Sequence, residues 1–238
     1  KSAIALGLSI ATKFFPIVLL LPIVLILIRK SKIRELIIYI AYTSMTWLLI
    51  NLPFIITTPA GWFRFFKLNS ERAADWGSIW HALEIFGLKV NHLNLISIIA
   101  FAVFALAFTL FVYGISEVPK LASIAFFIVA IFVTASKVYS PQYVLWLTPL
   151  AIIAIIDKRE LAIFWFWQGC ELLYHFAIWQ HLATVTGAKF GLPVFAYSVI
   201  SLIRIGASLL LLQRLAVRHQ KSRVFPSEFL LSTGESYP

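Results

Sequence analysis

Long apolar runs, separated by short polar segments, dominate the pattern of this sequence. The run "FFPIVLLLPIVLILI" contains no polar residue, and further runs of about 20 residues, the length that crosses a hydrocarbon core, follow along the chain. A transmembrane barrel would alternate apolar and polar residues over about ten positions, which these runs do not do. The pattern predicts an all-α polytopic membrane protein with about seven transmembrane helices, at 3–28, 35–56, 95–115, 120–136, 141–156, 160–181 and 191–216.

Composition supports this class and changes the meaning of the charge. Hydrophobic residues make up 61% of the chain and charged residues 13%, against about 45–50% and about 25% in soluble domains. The net charge of +10 would suggest nucleic-acid binding in a soluble domain, but the basic residues here lie beside the apolar runs. We therefore predict no nucleic-acid partner. The single cysteine, Cys170, excludes a disulfide framework and a thiolate metal site.

Basic residues in the short turns indicate the orientation of the predicted helices. The first turn, "RKSKIR", places residues 29–34 on the cytoplasmic side by the positive-inside rule. Alternation puts three further segments on that side, each of which contains Lys or Arg: 117–120, 157–160 and the tail. The segments predicted on the extracytoplasmic side are 57–94, 136–141 and 182–190.

The long outer loop 57–94 contains an aromatic and basic stretch, "GWFRFFK". Aromatic residues of this kind lie at headgroup depth, so the stretch predicts a helix in the membrane interface. The predicted domains are a transmembrane domain over 1–216, which includes this loop, and a basic, polar cytoplasmic tail over 217–238. Because the chain begins without Met and enters an apolar run at once, we expect it to be the C-terminal part of a longer protein.

Two lysines lie within or beside the apolar runs, where an ionised side chain costs roughly 2.5–3.5 kcal/mol at the bilayer centre. Lys13 lies about ten residues into the first run, roughly 15 Å at helical rise, which is deep for snorkelling and favours a role facing a cavity. Lys137 lies at the outer end of its helix, where snorkelling is easier. The turn "YSPQY" (139–143) that follows favours a site edge, because irregular backbone at membrane depth lies inside protein or lines a cavity.

Glu171 and Arg204 each lie near the middle of a predicted helix, and the two helices are consecutive in the chain. Because chain direction alternates, the two side chains reach a similar depth, and we predict an intramembrane ion pair with a structural role. His175 shares the helix face of Glu171, but two ligands without a third do not make a zinc-type site. We therefore predict no metal.

Four basic residues meet at the predicted outer boundary: Lys13, Arg64, Arg72 and Lys137. Cations suit a phosphate, an adjoining apolar groove suits an acyl or polyprenyl chain, and aromatic, amide and hydroxyl groups suit a sugar. The combination predicts an amphiphilic substrate with a phosphorylated headgroup, handled outside the cytoplasm. The absence of P-loop, GxGxxG, HExxH and GxSxG motifs argues against ATP hydrolysis, Rossmann cofactors and the common hydrolases.

Three segments carry a resemblance to a known family. "SKVYSPQYVLWLTPL" (136–150) resembles a signature of integral-membrane glycosyltransferases with the GT-C fold. It is most similar to glycosyltransferase family 87, whose members are polyprenyl-phosphate-mannose-dependent mannosyltransferases, and also to the eukaryotic mannosyltransferase that builds the GPI anchor. "GLSIATKFFPIVLLLPI" (7–23) and "NSERAADWGSIW" (69–80) resemble family 87 segments in the same order. The resemblance covers about residues 3–156.

The resemblance implies inverting transfer of a sugar, commonly mannose, from a polyprenyl-phosphate donor to a lipid or glycan acceptor. It implies an integral protein of the plasma membrane whose active site faces the extracytoplasmic side, with no nucleotide sugar and no cofactor besides the lipid-phosphate donor. Carried over by position, the phosphate-facing residues are Lys13 and Lys137, the sugar-pocket residues are Tyr139, Gln142 and Tyr143, and the loop residues that close the site are Arg72, Asp75 and Trp76.

The general base is the main departure from that family. An inverting transfer needs a carboxylate near the acceptor hydroxyl, and in this fold that acidic residue lies in the first outer loop near the N-terminus. Asp75 is the nearest substitute in this chain, so we expect the true base upstream and the isolated chain to be inactive. The alternatives are a transporter or flippase of lipid-linked sugars or other amphiphiles, and a non-catalytic membrane subunit.

Overall fold

The computed structural model describes residues 1–221 of the chain, and all of their regular structure is helical, as the sequence predicts. The ten α-helices of this part are α1 (Ser2–Thr12), α2 (Leu20–Arg29), α3 (Ile33–Thr57), α4 (Pro59–Glu71), α5 (Ile79–Ile85), α6 (Leu93–Gly114), α7 (Leu121–Ala135), α8 (Val144–Ala154), α9 (Lys158–Val185) and α10 (Val194–Lys221). Two 3₁₀ helices, Phe15–Leu19 and Pro141–Tyr143, directly precede α2 and α8. The predicted tail from 222 to 238 lies outside the described residues.

Three helices in residues 1–221 are long and apolar enough to cross a membrane: α3, α6 and residues Val194–Gln220 of α10. They indicate a membrane protein, but by length and composition they are three spans where the sequence predicts about seven. The predicted span 3–28 is divided at Lys13, and α7 and α8 have only 15 and 11 residues. Helix α9 has 28 residues, but its Gln, His, Tyr and Glu side chains lower its hydropathy.

Helix α7 lies at the centre of the packed helices. Most of its side chains are buried, from Ser123 to Ala135, because it is apolar on nearly every face. Helices α2, α6, α8 and α10 contact it. Beside it, α9 and α10 pack along each other, and the small buried residues Ser198, Ser201 and Ser208 of α10 allow the two backbones to approach closely.

The predicted outer loop 57–94 is mostly helical. Proline is tolerated in the first turn of a helix, which lacks internal partners for its N–H groups, and Pro59 begins α4 in this way. Helix α5 is capped by Ser78, whose side chain accepts a hydrogen bond from the His81 backbone N–H. Between the two helices, residues 72–78 run inward, so that Gly77 and Ser78 are buried. This inward segment reaches the site described below.

Charged side chains hold the N-terminal end of α9 in place. Asp157 and Glu160 form a capping box at its N-terminus, which satisfies backbone N–H groups that lack partners within the helix. Arg214 of α10 lies 3.3 Å from the Asp157 carboxylate, and Arg218 pairs with Glu160. Hydrogen bonds from backbone N–H groups, with the Arg214 charge assisting, hold the pKa of Asp157 below its usual range. Helix α10 continues to Lys221, so Arg218 and its pair lie past residue 216, where the tail was predicted to begin.

The contact between α1 and α3 depends on a glycine. A Cβ added at Gly7 would lie 2.6 Å from the Thr43 carbonyl oxygen and 2.7 Å from Thr46 Cβ. We therefore expect Gly7→Ala to lower stability by about 1–3 kcal/mol, as overpacking generally does. Thermal unfolding of the detergent-solubilised protein measures the change.

A second helical glycine supplies the control for this prediction. A Cβ at Gly169, in α9, would meet no atom within 4 Å, so Gly169→Ala should raise stability by up to about 1 kcal/mol through helix propensity alone. Equal melting temperatures for Gly7→Ala and Gly169→Ala would contradict the close approach of α1 and α3.

Candidate functional site

A break in the first apolar run places Lys13 beside aromatic rings. Helix α1 ends at Thr12, and Lys13 has extended backbone angles, φ −153° and ψ 124°. Its ammonium lies 4.7 Å from the centre of the Trp146 ring and 5.8 Å from that of Tyr143. Both positions are within cation–π range, where an aromatic face attracts a cation. Within residues 1–221, this ammonium has no carboxylate or carbonyl partner.

The aromatic rings around Lys13 form a stacked group. Tyr143 stacks on Trp146 with ring centres 3.9 Å apart, and Phe15 stacks on the same indole at 3.4 Å. Tyr143 ends the 3₁₀ helix that runs into α8, and Trp146 lies three residues further on in the first turn of α8, so the two side chains share one face. The group therefore joins the break after α1 to the turn before α8.

Lys13 lines a cavity of about 700 Å³, here named the Lys13 cavity. Its lining includes three cationic side chains, three side-chain amides and several aromatic rings. Its lining residues are Lys13, Phe14, Phe15, Phe65, Phe66, Asn69, Ser70, Arg72, Asn94, Ser97, Ile98, Phe101, Phe132, Ser136, Lys137, Val138, Gln142, Tyr143 and Trp146. The structure thus brings together five of the residues predicted to bind substrate: Lys13, Arg72, Lys137, Gln142 and Tyr143.

Lys137 lines this cavity and also has a structural role. Its side chain is buried, and its ammonium donates hydrogen bonds to the Arg72 carbonyl at 2.6 Å and the Ser70 carbonyl at 3.1 Å. These carbonyls lie at the C-terminal end of α4, where they have no partner within the helix. Burial, with the Arg72 charge as a smaller cause, lowers the pKa of Lys137. Lys137 therefore ties α4 to the 136–143 turn.

Asp75, the candidate base, lies at the junction of the inward segment and the turn. Its carboxylate accepts a hydrogen bond from Ser140 Oγ at 3.3 Å and lies 3.3 Å from Arg72 Nη2. Its backbone N–H donates to the Lys137 carbonyl at 2.8 Å. Asp75 is not one of the residues that line the Lys13 cavity. These contacts fit an ordering role at least as well as proton abstraction.

Glu171 and Arg204, the predicted pair, lie together in the interior. Arg204 Nη1 is 3.5 Å from Glu171 Oε2, and both side chains are buried. Glu171 Oε1 also accepts a hydrogen bond from the Trp167 indole at 3.1 Å. Because an unpaired buried charge is strongly destabilising, each group depends on the other for its place in the core.

Arg204 also connects three separate parts of the chain. Its Nη2 donates hydrogen bonds of 2.9 Å to the Gly77 carbonyl of the inward segment and to the Tyr139 carbonyl of the turn. Its guanidinium carbon lies 3.9 Å from the Tyr139 ring centre and 3.5 Å from that of Tyr174. We name these residues the Arg204 cluster: Gly77, Tyr139, Glu171, Tyr174 and Arg204. A methyl group at Gly77 would overlap the Tyr139 carbonyl oxygen and the Tyr174 hydroxyl, so only glycine fits there.

Two residues assigned to the substrate site lie elsewhere. Tyr139 is fully buried, with its ring against Arg204, so it belongs to the support of the turn. Trp76 lines a second cavity of about 480 Å³, which shares Gln142 with the Lys13 cavity and is also lined by residues of α8 and α9. Arg64 borders a separate depression on the exposed side of α4. Adjacent residues of the turn and the loop point in different directions, which spacing alone does not reveal.

The structure adds three residues to the candidate site that the sequence did not single out. Trp146 and Phe15 form the aromatic group beside Lys13, and Asn94 lines the cavity from the first turn of α6 while donating to the Ser70 carbonyl at 2.7 Å. Only the Tyr143–Trp146 spacing of three residues could have indicated the aromatic group. His175, considered with Glu171 as a ligand pair, instead bonds the Glu171 backbone carbonyl at 2.7 Å through Nδ1.

Comparison with family models, with curated proteins and with solved structures finds no match for this chain in any of the three. The resemblance of 136–150 to a glycosyltransferase signature therefore stays a prediction. The geometry of the Lys13 cavity is the basis for the function proposed below.

The Arg204 cluster gives a prediction about stability. Replacing one member of a buried ion pair costs about 3–5 kcal/mol, because the other charge is left unpaired. We expect Arg204→Gln to cause the largest loss of stability, since the Gly77 and Tyr139 carbonyls also lose their hydrogen-bond donor. Glu171→Gln should cause a smaller loss, and the double variant should be more stable than the sum of the single effects predicts. Thermal unfolding of the four proteins in detergent measures this coupling.

The matched control for this prediction is Arg34→Gln, at an exposed arginine near the start of α3, which should leave stability nearly unchanged. Additive single effects, with a coupling below about 0.5 kcal/mol, would show that Glu171 and Arg204 do not depend on each other.

Proposed function

We propose that this protein is a membrane-embedded glycosyltransferase of the GT-C type. It transfers a sugar, with mannose as the first candidate, from a polyprenyl-phosphate donor to a lipid or glycan acceptor, with inversion and without a nucleotide sugar. One observation carries the proposal: Lys13, an ammonium with no anionic partner in residues 1–221, shares a cavity of about 700 Å³ with Arg72, Lys137 and Gln142. The resemblance of residues 136–150 to the family signature supports the same proposal.

The chemistry of the Lys13 cavity suits a lipid-linked sugar. Three cationic side chains can attract a phosphate, and Lys13 is the one whose ammonium is not occupied by backbone carbonyls or a carboxylate. The Tyr143 and Trp146 rings offer aromatic faces, and Gln142, Asn69 and Asn94 offer amides that can bond sugar hydroxyls. Phenylalanines on the remaining walls suit a hydrocarbon chain.

The proposed reaction is a displacement at the anomeric carbon. An acceptor hydroxyl oxygen forms a bond to that carbon, while the bond between the carbon and the donor phosphate oxygen breaks and its electron pair leaves with polyprenyl phosphate. The hydroxyl proton passes to a carboxylate base. Negative charge grows on the departing phosphate, where fixed cations such as Lys13 and Arg72 stabilise it.

The proposed orientation in the membrane follows from the basic turns and from the position of the cavity. We propose that all seven predicted segments cross, with the Lys13 cavity on the extracytoplasmic side of the plasma membrane. Broken and short helices are tolerated in a membrane where they lie inside protein or line a cavity. The break at Lys13 lines the cavity and α7 is buried, so both meet that condition.

Lys13 gives the first functional prediction. Removal of its charge should weaken binding of the donor phosphate, and a hydrogen bond to a charged group is worth about 1.5–3 kcal/mol. We expect Lys13→Gln to lower kcat/KM for a synthetic polyprenyl-phosphate-mannose by about 10- to 100-fold, and Lys13→Arg to restore part of it. The assay uses the full protein in native-like membranes.

Lys30→Gln, in the turn after α2, is the matched control and should leave transfer unchanged. Equal transfer by wild type and Lys13→Gln would remove Lys13 from the donor site. No transfer by wild type from mannose or any other lipid-linked sugar would contradict the proposed function and favour a transporter.

Asp75 gives a second functional prediction, because the geometry lets its two roles be separated. Asp75→Asn keeps the size of the side chain and an oxygen for the Ser140 hydrogen bond. If Asp75 orders the loop, as its contacts indicate, transfer should fall by less than about tenfold, and Ser140→Ala should have a similar effect. A loss of about 10²–10⁴-fold in Asp75→Asn alone, the usual contribution of a general base, would make Asp75 the base.

A further inference from the structure

The second cavity, which has no role in the proposed function, is lined mainly by apolar side chains and does not resemble a sugar site. It has a volume of about 480 Å³ and is named here the Trp179 cavity. Val144 and Leu145 of α8 form one wall, and Ile178, Trp179 and Leu182 of α9 form the other. Four of its residues on α9, including His175, recur at the spacing of one helix face. Its wall is therefore a continuous apolar surface built by two helices.

Few polar groups are available inside the Trp179 cavity. His175 uses Nδ1 on the Glu171 backbone carbonyl at 2.7 Å, which leaves its other ring nitrogen. Gln142 and Trp76 also contribute polar groups to its lining. A sugar has many hydroxyl groups that would each lose water without gaining a partner, which costs free energy. The walls suit a hydrocarbon chain much better.

The outer rim of the cavity lies on an apolar face of the molecule. Leu145 and Trp179 are 70% and 68% exposed, and Phe176 next to them is 65% exposed. In a membrane protein, such large apolar side chains contact lipid. A chain in the cavity could therefore enter sideways from the bilayer, between α8 and α9.

The Trp179 cavity shares a lining residue with the Lys13 cavity, the proposed reaction site. Gln142 lines both the Trp179 cavity and the Lys13 cavity. Trp76 directly follows Asp75 in the inward segment. The Asp75 carboxylate contacts the turn that contains Gln142, because it accepts a hydrogen bond from Ser140. A molecule with its chain in the Trp179 cavity would present its headgroup at Gln142, a residue that also lines the cavity in which Lys13 is proposed to hold the donor phosphate.

We propose that the Trp179 cavity binds the hydrocarbon chain of the acceptor, so that the acceptor is a membrane lipid with a sugar or polyol headgroup rather than a free glycan. This inference rests on the proposed function. The chain is assigned to the acceptor because the Lys13 cavity has its own phenylalanine walls beside the phosphate-binding cation. Those walls leave the second cavity for the second substrate.

Photolabelling tests the cavity without requiring turnover. The full protein in native-like membranes is incubated with dodecyl mannoside that carries a diazirine at the end of its chain, and the labelled peptides are mapped by mass spectrometry. We expect labelling of 141–145 and 175–182. Ile178→Trp, which fills the cavity, and Leu145→Gln, which makes the exposed rim polar without added bulk, should each reduce it severalfold. Leu172→Trp, at a residue of α9 that is 60% exposed and outside the cavity, is the matched control.

Kinetics then show which substrate uses the cavity. Ile178→Trp and Leu145→Gln should raise KM for dodecyl mannoside as acceptor about tenfold, and should leave KM for the polyprenyl-phosphate donor and KM for methyl mannoside, an acceptor without a chain, unchanged. A rise in donor KM instead would assign the cavity to the donor and overturn the inference.

The two proposals fail in different ways. Labelling spread evenly over the exposed faces of α3 and α6, with normal transfer by wild type, would overturn the inference and leave the proposed function standing. Labelling confined to 141–145 and 175–182, with no transfer from any lipid-linked donor, would keep a lipid site but overturn its assignment to an acceptor.

Discussion

The buried guanidinium of Arg204 is the constraint on which the arrangement of both cavities depends. It lies in the interior of α10, and its hydrogen bonds to the Gly77 and Tyr139 carbonyls fix the inward segment and the 136–143 turn against the same point. The inward segment brings Trp76 to one cavity, and the turn brings Gln142 to both. Because Gly77 and Tyr139 lie outside the helices, Arg204 supplies at these two residues the order that helical hydrogen bonds supply elsewhere.

Electrostatics explains why so costly a group can remain in the core. The Glu171 carboxylate neutralises the guanidinium at 3.5 Å, a separation longer than a good hydrogen bond, so the pair contributes through charge. The Tyr139 and Tyr174 rings add cation–π attraction on the two sides of the arginine. A pair of apolar residues could be as stable, but it would not direct donors at two carbonyls of separate segments. The ion pair therefore specifies one packing of loop, turn and helices.

The sequence predicted those parts of the site that follow from depth and from charge. Glu171 and Arg204 could be paired because each lies mid-way along consecutive apolar runs, and Lys13 could be assigned to a cavity because it lies too deep to snorkel. The direction of individual side chains within the turn was not predictable. Tyr139 and Gln142 are three residues apart, yet Tyr139 contacts Arg204 in the core and Gln142 lines both cavities. Tyr139 precedes the 3₁₀ helix Pro141–Tyr143 and Gln142 lies within it, so their side chains follow different backbone geometry. Within residues 1–221, three helices are long and apolar enough to span a membrane where about seven spans were predicted, because apolar content does not show where a helix breaks.

Lys13 and Lys137 have different roles because their ammonium groups differ in how many N–H donors are already used in hydrogen bonds. Lys137 is buried and directs hydrogen bonds at the Ser70 and Arg72 carbonyls, so a ligand phosphate would have to compete with the C-terminal end of α4 for its charge. Within residues 1–221, the Lys13 ammonium lies against the faces of Trp146 and Tyr143 and has no hydrogen-bond acceptor, so its N–H donors are available to a ligand. An anion entering the cavity therefore gains most at Lys13, while Lys137 and Arg204 keep the turn in place around it. One short turn can therefore serve both folding and binding. Its backbone is held from the core by Arg204, and the exposed amide of Gln142, which has no hydrogen-bond partner in residues 1–221, can bind a ligand.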